Sequence, residues 1–125
     1  MGDVGLYVHL PYCTSLCPYC DFNSYVDPAA PWDALTAALG REIAVRAPVF
    51  AAPWRSVYFG GGTPSLAPAD TLRSLLEAAR RAAPLHPEVE ITLEVNPGTV
   101  TPASLASFRA AGVNRISLGW QSTHD

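Results

Sequence analysis

Three cysteines close together are the residues of this sequence best suited to chemistry. Cys13, Cys17 and Cys20 are the only cysteines among 125 residues, and they fall within eight consecutive positions. Cysteines that serve packing are scattered through a core, so this clustering points to sulfur chemistry. The C-x3-C-x2-C spacing brings three thiolates onto one short loop, where they can converge on a single metal centre and leave one coordination position open.

Three kinds of site compete for this loop. A zinc site needs a fourth ligand, for which His9 is the local candidate, and no second pair of ligands follows downstream. A thiol redox centre fits Cys17-Pro18-Tyr19-Cys20, which is the C-P-Y-C tetrapeptide of glutaredoxins, but residues 21–28 form a poor helix and a redox dithiol relies on a helix N-terminus. The third kind is an iron–sulfur cluster held by three cysteines, with one iron left open. The loop by itself leaves all three open.

Composition excludes several classes of function. The chain is 49% hydrophobic and 15% charged, which is typical of a folded domain with a real core. A net charge of −3 and the lack of any basic run longer than Arg80-Arg81 argue against nucleic-acid binding. No apolar stretch approaches the ~20 residues that span a bilayer, and Met1-Gly2-Asp3 does not begin a secretion signal. We expect a chain without an integral membrane segment, in a reducing cytoplasm.

The elements that must position the loop follow a regular alternation. Short β-rich runs predict strands over 5–10, 56–59, 89–96 and 115–119. Apolar residues at helical spacing predict helices over 31–47 and 69–82, and a third helix begins after a Thr101 cap and ends at Gly112. Strands separated by single helices predict an α/β fold with a parallel sheet and right-handed crossovers.

The strands alternate in polarity, which suggests what the sheet encloses. In the strand over 89–96, Glu90, Thr92 and Glu94 point one way, and apolar residues point the other way. Strands covered by helices on both faces are usually apolar throughout, so the polar side is expected to line a concave interior. A partial (β/α) barrel has that geometry, with its site at the carboxyl ends of the strands. One rim would then hold the cysteine loop, the Gly60–Gly62 triple glycine, Glu94 and Gln121.

Four stretches of the sequence together match a known family. They are Tyr7-Val-His-Leu-Pro-Tyr-Cys13 continuing through Cys17-x-Tyr-Cys20-Asp21-Phe22, Tyr58-Phe59-Gly-Gly-Gly-Thr-Pro64, Glu94-Val-Asn-Pro97 and Ser117-Leu-Gly-x-Gln121-Ser. In this order they resemble the radical SAM superfamily, and within it the oxygen-independent coproporphyrinogen III oxidase group with its haem-chaperone-like branch. The resemblance runs from about residue 6 to residue 122, nearly the whole chain.

This resemblance implies two cofactors. They are a [4Fe–4S] cluster bound by Cys13, Cys17 and Cys20, and S-adenosylmethionine (SAM), whose amino and carboxylate groups chelate the open iron. One electron from the reduced cluster, supplied by a donor such as a flavodoxin or ferredoxin, cleaves a C–S bond of SAM to give a 5′-deoxyadenosyl radical. By similarity, the residues expected to contact SAM are Tyr7, Tyr19, Gly61, Gly62, Thr63, Glu94 and Gln121.

Position 22 separates the branches of the family. The oxidases tend to carry a further cysteine there, whereas this sequence reads Cys20-Asp21-Phe22, as in the haem-chaperone-like branch. The resemblance therefore implies a protein of haem or porphyrin handling, with haem as a further candidate ligand. The alternatives are an oxygen-independent coproporphyrinogen III oxidase, a glutaredoxin-like dithiol module using Cys17 and Cys20, and an inactive truncated remnant. Whether the chain is an enzyme stays open.

The length of the chain carries a further expectation. Members of the family continue beyond the fourth strand, so residues 1–125 are expected to be the N-terminal part of a radical SAM core domain, as a fragment, a truncated product or half of a split protein. An unfinished barrel exposes an apolar flank and an unpaired strand edge, which favours aggregation. We therefore expect the isolated chain to be poorly soluble or only marginally stable.

Overall fold

Four main strands and three helices build the protein in the predicted order. The structure, a computed structural model, describes residues 3–13 and 25–119. Its strands are β1 (Val4–Leu10), β2 (Tyr12–Cys13), β3 (Tyr25–Val26), β4 (Trp54–Gly61), β5 (Leu85–Val95) and β6 (Arg115–Leu118). Its helices are α1 (Trp32–Arg46), α2 (Ala69–Ala82) and α3 (Pro102–Ala111), with 3-10 turns at Ala47–Val49 and Pro64–Leu66.

The four long strands form one parallel sheet in the order β1-β4-β5-β6, and β2 and β3 form a separate small pair. Helices α1, α2 and α3 each connect one strand of the sheet to the next, as parallel pairing requires. In this register Tyr7 lies beside Tyr58, and Tyr58 lies beside Thr92. The predicted α/β fold with a partial barrel sheet is confirmed.

Two strands are longer than the sequence pattern predicts. β4 begins at Trp54 and β5 begins at Leu85, whereas the patterns predict starts at 56 and 89. Trp54 pairs with Leu85 ahead of a register shift, and its indole N–H donates a 2.9 Å hydrogen bond to the Ala79 carbonyl of α2. Pro87 within this segment interrupts the strand pattern, so only the pairing with β4 shows that β5 starts earlier.

The core lies between the sheet and the helices. The largest fully buried side chains come from β1, β4, β5 and α2; they are Leu10, Val57, Phe59, Leu72, Leu75, Leu76 and Leu93. α2 buries the whole of its predicted apolar face because it packs between α1 and α3. On α1, only Ile43 of the predicted stripe is buried, and Leu35 and Leu39 are half-buried. α1 packs on α2, and its Val45 is 76% exposed.

The third helix has the predicted caps. The Thr101 hydroxyl accepts a 3.1 Å hydrogen bond from the Ser104 amide, and the Ser104 hydroxyl accepts one of 2.8 Å from the Thr101 amide. Together they form a capping box, with Pro102 at the first helical position. Gly112 ends the helix with a φ of 126°, in the region that favours glycine. These caps set where α3 stops and thus where β6 begins.

The apolar side of β6 is exposed. Ile116 and Leu118 pair with Leu93 and Val95, so they share the helix-covered face of the sheet, yet they are 42% and 60% exposed. β1 forms the opposite edge of this sheet. These exposed apolar residues lie on the helix-covered face, whereas the flank expected from an unfinished barrel is an interior one, so that expectation stays a prediction. None of the helices in the described ranges is long and apolar enough to cross a membrane.

We predict that the isolated 125-residue chain self-associates through the β6 edge. Leu118→Lys should shift the chain toward monomer in size-exclusion chromatography with light scattering, because a lysine on an edge strand opposes pairing with another edge. Val45→Lys is the matched control: Val45 is also exposed and apolar but lies on α1, away from the sheet edge. A monodisperse monomer with a sharp two-state thermal transition for the unchanged chain contradicts this prediction.

Candidate functional site

Several predicted site residues meet where the strands end. Because the strands are parallel, their carboxyl ends share one rim of the sheet. β1 leads through Pro11 to Cys13, β4 ends in Gly61 and leads to Thr63, and Glu94 lies next to the end of β5. The structure therefore brings Cys13, the glycine loop and Glu94 to one place. The predicted positions Cys17, Tyr19, Cys20 and Gln121 lie outside the described residues.

The glycine loop packs directly on the segment that contains the first cysteine. The Gly62 amide donates a 2.9 Å hydrogen bond to the Leu10 carbonyl, and the Thr63 amide donates one of 2.8 Å to the Tyr12 carbonyl. A Cβ on Gly62 would lie 2.7 Å from Sγ of Cys13, closer than real Cβ contacts allow. The absence of a side chain at Gly62 is thus what lets the Cys13 thiol lie against this loop.

Cys13 is half-buried, and its thiol forms no disulfide with any described residue. Within the described ranges no group of three or more histidine, cysteine, aspartate or glutamate side chains could hold a metal ion. Two of the three predicted cluster ligands fall outside those ranges. The described surroundings of Cys13 combine a thiol with the open backbone of a glycine loop. These surroundings fit a cluster ligand beside a bound small molecule.

The inner face of the sheet carries a second group of predicted residues. A Cβ on Gly60 would collide with Oε1 of Glu94 and would lie 2.9 Å from the Tyr7 hydroxyl. The Glu94 carboxylate and the Tyr7 hydroxyl therefore converge over Gly60, from the strands on either side of β4. The rings of Tyr7 and Tyr58 stack with centroids 5.9 Å apart and an interplanar angle of 18°. This arrangement places one acidic and one phenolic group on the predicted ligand-facing side.

The environment of Tyr7 keeps its phenol neutral. Burial raises the pKa of Tyr7 above its ordinary value of 10.0, and the negative charge of Glu94 and then Tyr58 raise it further. The side chain is 57% exposed overall, but its hydroxyl end lies over Gly60. That hydroxyl is 3.2 Å from Nδ1 of His9, which shares the inner face of β1. Tyr7 can thus serve as a hydrogen-bond donor at any physiological pH.

The described contacts of His9, the local candidate for a fourth zinc ligand, are with Tyr7 and with the glycine loop. Its role as a zinc ligand stays a prediction, because Cys17 and Cys20 lie outside the described residues. Its imidazole Cε1 and Nδ1 lie 3.0 Å from the place where a Cβ of Gly61 would be, and Gly61 has a φ of 121°. The missing side chain at Gly61 therefore makes room for the His9 ring.

Sequence reasoning missed a polar group that links two of the motifs. Asn96 belongs to the E-V-N-P stretch, and its side-chain amide lies 3.2 Å from the Thr63 hydroxyl of the glycine loop. Ser65 and Thr99 extend this contact through hydroxyl groups 2.6 Å apart. The sequence indicates these contacts of Asn96, Ser65 and Thr99 only weakly, because short polar residues after a strand usually form turns.

We predict that Glu94→Gln lowers the pKa of Tyr7 while leaving it above 10.0, because the acidic charge is removed and the larger effect of burial remains. The phenol is favoured neutral in the fold, so the stability that Tyr7 contributes is present below pH 10 and is lost as the pH rises through its folded pKa. Tyrosinate absorbance, taken as the difference from Tyr7→Phe, measures the titration.

Glu90→Gln serves as the control for this titration, since Glu90 lies on the same face of β5 but is exposed and four residues before Glu94. It should leave the Tyr7 titration unchanged. If Glu94→Gln and the unchanged chain titrate alike, the carboxylate does not act on Tyr7 and the arrangement over Gly60 is wrong.

Known proteins are similar to this chain in sequence over almost its whole length. The mitochondrial radical S-adenosyl methionine domain-containing protein 1 of Bos taurus is 46% identical over 126 residues, covering 97% of this chain and 28% of that protein. The heme chaperone HemW of Escherichia coli is 38% identical over 135 residues, covering 98% of this chain and 33% of that protein. The chain thus spans about a third or less of the length of the curated relatives it matches.

A solved structure supports the same relationship. The coproporphyrinogen III oxidase HemN of Escherichia coli, described as a radical SAM enzyme, superimposes with a TM-score of 0.87 and 34% identity. The match covers 98% of this chain and 29% of that one. The family model described as the radical SAM superfamily matches residues 7–125. The resemblance predicted from the four stretches is confirmed, and the chain belongs to the radical SAM superfamily.

Proposed function

We propose that this chain binds a [4Fe–4S] cluster through Cys13, Cys17 and Cys20 and binds SAM at the carboxyl rim of its sheet. The observation that carries the proposal is the contact between Cys13, the proposed cluster ligand, and the open backbone of the glycine loop. Membership of the superfamily supports it. The cluster, when bound and reduced, supplies the electron for reductive cleavage of SAM.

The same proposal gives roles to the residues around the rim. The proposed SAM contacts are Tyr7, Tyr19, Gly61, Gly62, Thr63, Glu94 and Gln121. Of these, Glu94 can accept hydrogen bonds from ammonium or hydroxyl groups, and the neutral hydroxyl of Tyr7 can donate one. The glycine loop permits close approach of the ligand to the backbone. Together these groups bind and orient a small molecule that carries both charged and hydroxyl groups.

We propose further that the whole protein acts in haem or porphyrin handling, as a haem-chaperone-like protein in which residues 1–125 are the N-terminal part of the core domain. Relatives named heme chaperone HemW, from Escherichia coli and Mycobacterium tuberculosis, support this branch. Phe22, where the oxidases tend to have cysteine, supports it independently. Haem or a porphyrin, and a one-electron donor such as a flavodoxin or ferredoxin, are the proposed partners.

A second candidate is oxygen-independent coproporphyrinogen III oxidase activity, which the superposition on HemN favours. The two differ in their product. An oxidase converts coproporphyrinogen III to protoporphyrinogen IX anaerobically with release of carbon dioxide, whereas a chaperone binds haem and leaves it chemically unchanged. We expect haem binding, followed by its Soret absorbance, and no decarboxylation. Anaerobic release of carbon dioxide from labelled coproporphyrinogen would favour the oxidase activity over the chaperone function.

The cytoplasmic location stays a prediction. Relatives named as mitochondrial, such as that of Bos taurus, are as similar to this chain as the bacterial chaperones are. Both compartments are reducing enough to keep thiols free for a cluster, so the composition of the chain suits either one.

Electron paramagnetic resonance tests the cofactor proposal most directly. Anaerobically reconstituted, dithionite-reduced protein should give a [4Fe–4S]⁺ signal whose shape changes on adding SAM, because SAM binds the open iron. Cys13→Ser should abolish the signal. A dithiol module that uses Cys17 and Cys20 would instead keep its thiol–disulfide activity in Cys13→Ser and would show no cluster in either protein, which would overturn the proposal.

We also predict that Gly62→Ala lowers the yield of reconstituted cluster, since the added Cβ would lie 2.7 Å from Sγ of Cys13 and 2.8 Å from the Pro11 carbonyl oxygen. Iron and acid-labile sulfide per chain measure the yield. Gly40→Ala is the control, because a Cβ at Gly40 meets nothing closer than Ala78 at 3.9 Å. Equal yields for both variants would show that Cys13 does not depend on the glycine loop.

A further inference from the structure

We propose that Asn96, Ser65 and Thr99 form a hydrogen-bonded clamp that positions the glycine loop Gly60–Thr63 at the rim. Thr99, in the turn after β5, lies at the centre of this clamp. Its hydroxyl is 2.6 Å from the Ser65 hydroxyl and donates a 2.6 Å hydrogen bond to the Asn96 carbonyl. The Asn96 side-chain amide donates to the Thr63 hydroxyl at 3.2 Å. The clamp therefore bonds the turn after β5 to both ends of Thr63–Ser65.

The burial of the clamped residues shows why these bonds matter. Thr63 and Ser65 are only 4% and 5% exposed, and within the described ranges no buried side-chain nitrogen or oxygen is without a hydrogen-bond partner. A buried hydroxyl that loses its hydrogen-bond partner destabilises the fold by the full desolvation free energy of that hydroxyl. Substituting Asn96 or Thr99 would leave a buried hydroxyl on the loop side without its partner. The loop would then rearrange to satisfy that hydroxyl, and it would leave its present position.

The clamp acts on the proposed ligand site through Thr63. The Thr63 amide bonds to the Tyr12 carbonyl, next to Cys13, while the Thr63 hydroxyl bonds to Asn96, two residues after Glu94. Thr63 thus joins β2, which holds the cysteine, to the ends of β4 and β5, which hold the glycines and the carboxylate. Asn96 and Thr99 are positioning residues, since they act on the ligand site through Thr63. The expected effect of the clamp on SAM binding rests on the proposed function. Its expected effect on the position of the glycine loop does not.

Hydrogen exchange of the cofactor-free chain tests the clamp itself. In Asn96→Ala and Thr99→Val, amides of the Gly60–Thr63 segment should exchange about tenfold faster than in the unchanged chain, because one or two hydrogen bonds that hold the loop are lost. Peptides covering Val57 and Phe59 provide the internal reference for global stability, since both residues are fully buried in β4. Thr99→Ser, which keeps the hydroxyl, should restore slow exchange.

SAM affinity of the cluster-loaded protein gives the second readout. We expect SAM to bind about tenfold more weakly to Asn96→Ala and Thr99→Val, with iron and sulfide content unchanged, because a loop that is no longer held in place must be ordered on binding. Thr36→Val is the matched control. It removes a hydroxyl that donates a 2.6 Å hydrogen bond to the Trp32 carbonyl and lies 3.2 Å from the Thr71 hydroxyl, none of which belongs to the clamp, and it should leave both readouts unchanged.

The outcomes separate the two proposals. Loop exchange that does not differ from Thr36→Val overturns the clamp. If hydrogen exchange is faster but SAM affinity equals that of the unchanged chain, Asn96 and Thr99 only stabilise a turn. That result also overturns their positioning role. If the unchanged, cluster-loaded chain binds no SAM, the proposed function fails, and hydrogen exchange alone then decides whether the clamp holds the loop.

Discussion

The close approach of three strand ends depends on the missing side chains of Gly60, Gly61 and Gly62. A Cβ at these positions would meet the Glu94 carboxylate, the His9 ring and the Cys13 thiol, respectively. Each glycine therefore sets how near a group from a neighbouring strand or loop can come to β4. Side chains at these positions would force the rim apart by a few tenths of an ångström or more, and the residues that converge there would separate.

Polarity divides the sheet into two faces with different tasks. The helix-covered face buries Val57, Phe59 and Leu93 and provides the hydrophobic free energy of the fold. The opposite face carries Tyr7, Tyr58 and Glu94, which contact one another, and none of the three described helices covers them. This open polar face is where the proposed ligand at the strand ends would bind. The same division explains why β6, with only part of its apolar side covered, leaves Leu118 exposed.

Backbone and side-chain hydrogen bonds join the segments that meet at the rim. Gly62 and Thr63 donate to the segment before Cys13, and Asn96 reaches Thr63 from the turn after β5. Because these hydrogen bonds join residues distant in sequence, a displacement of one turn also displaces residues at the other strand ends. A small scaffold can hold a ligand site in this way, since three short segments that share a few buried bonds limit each other's motion.

The sequence alone determined the order of strands and helices, the caps of α3 and the grouping of Cys13, the glycines and Glu94 on one rim, because these follow from local periodicity and the parallel direction of the strands. It also predicted the family from four short motifs. Only the tertiary structure decided the early start of β5, the packing of His9 against Gly61 and the bonds of Asn96 and Thr99 to the glycine loop. These depend on register and side-chain direction between segments distant in the chain, which no local pattern encodes.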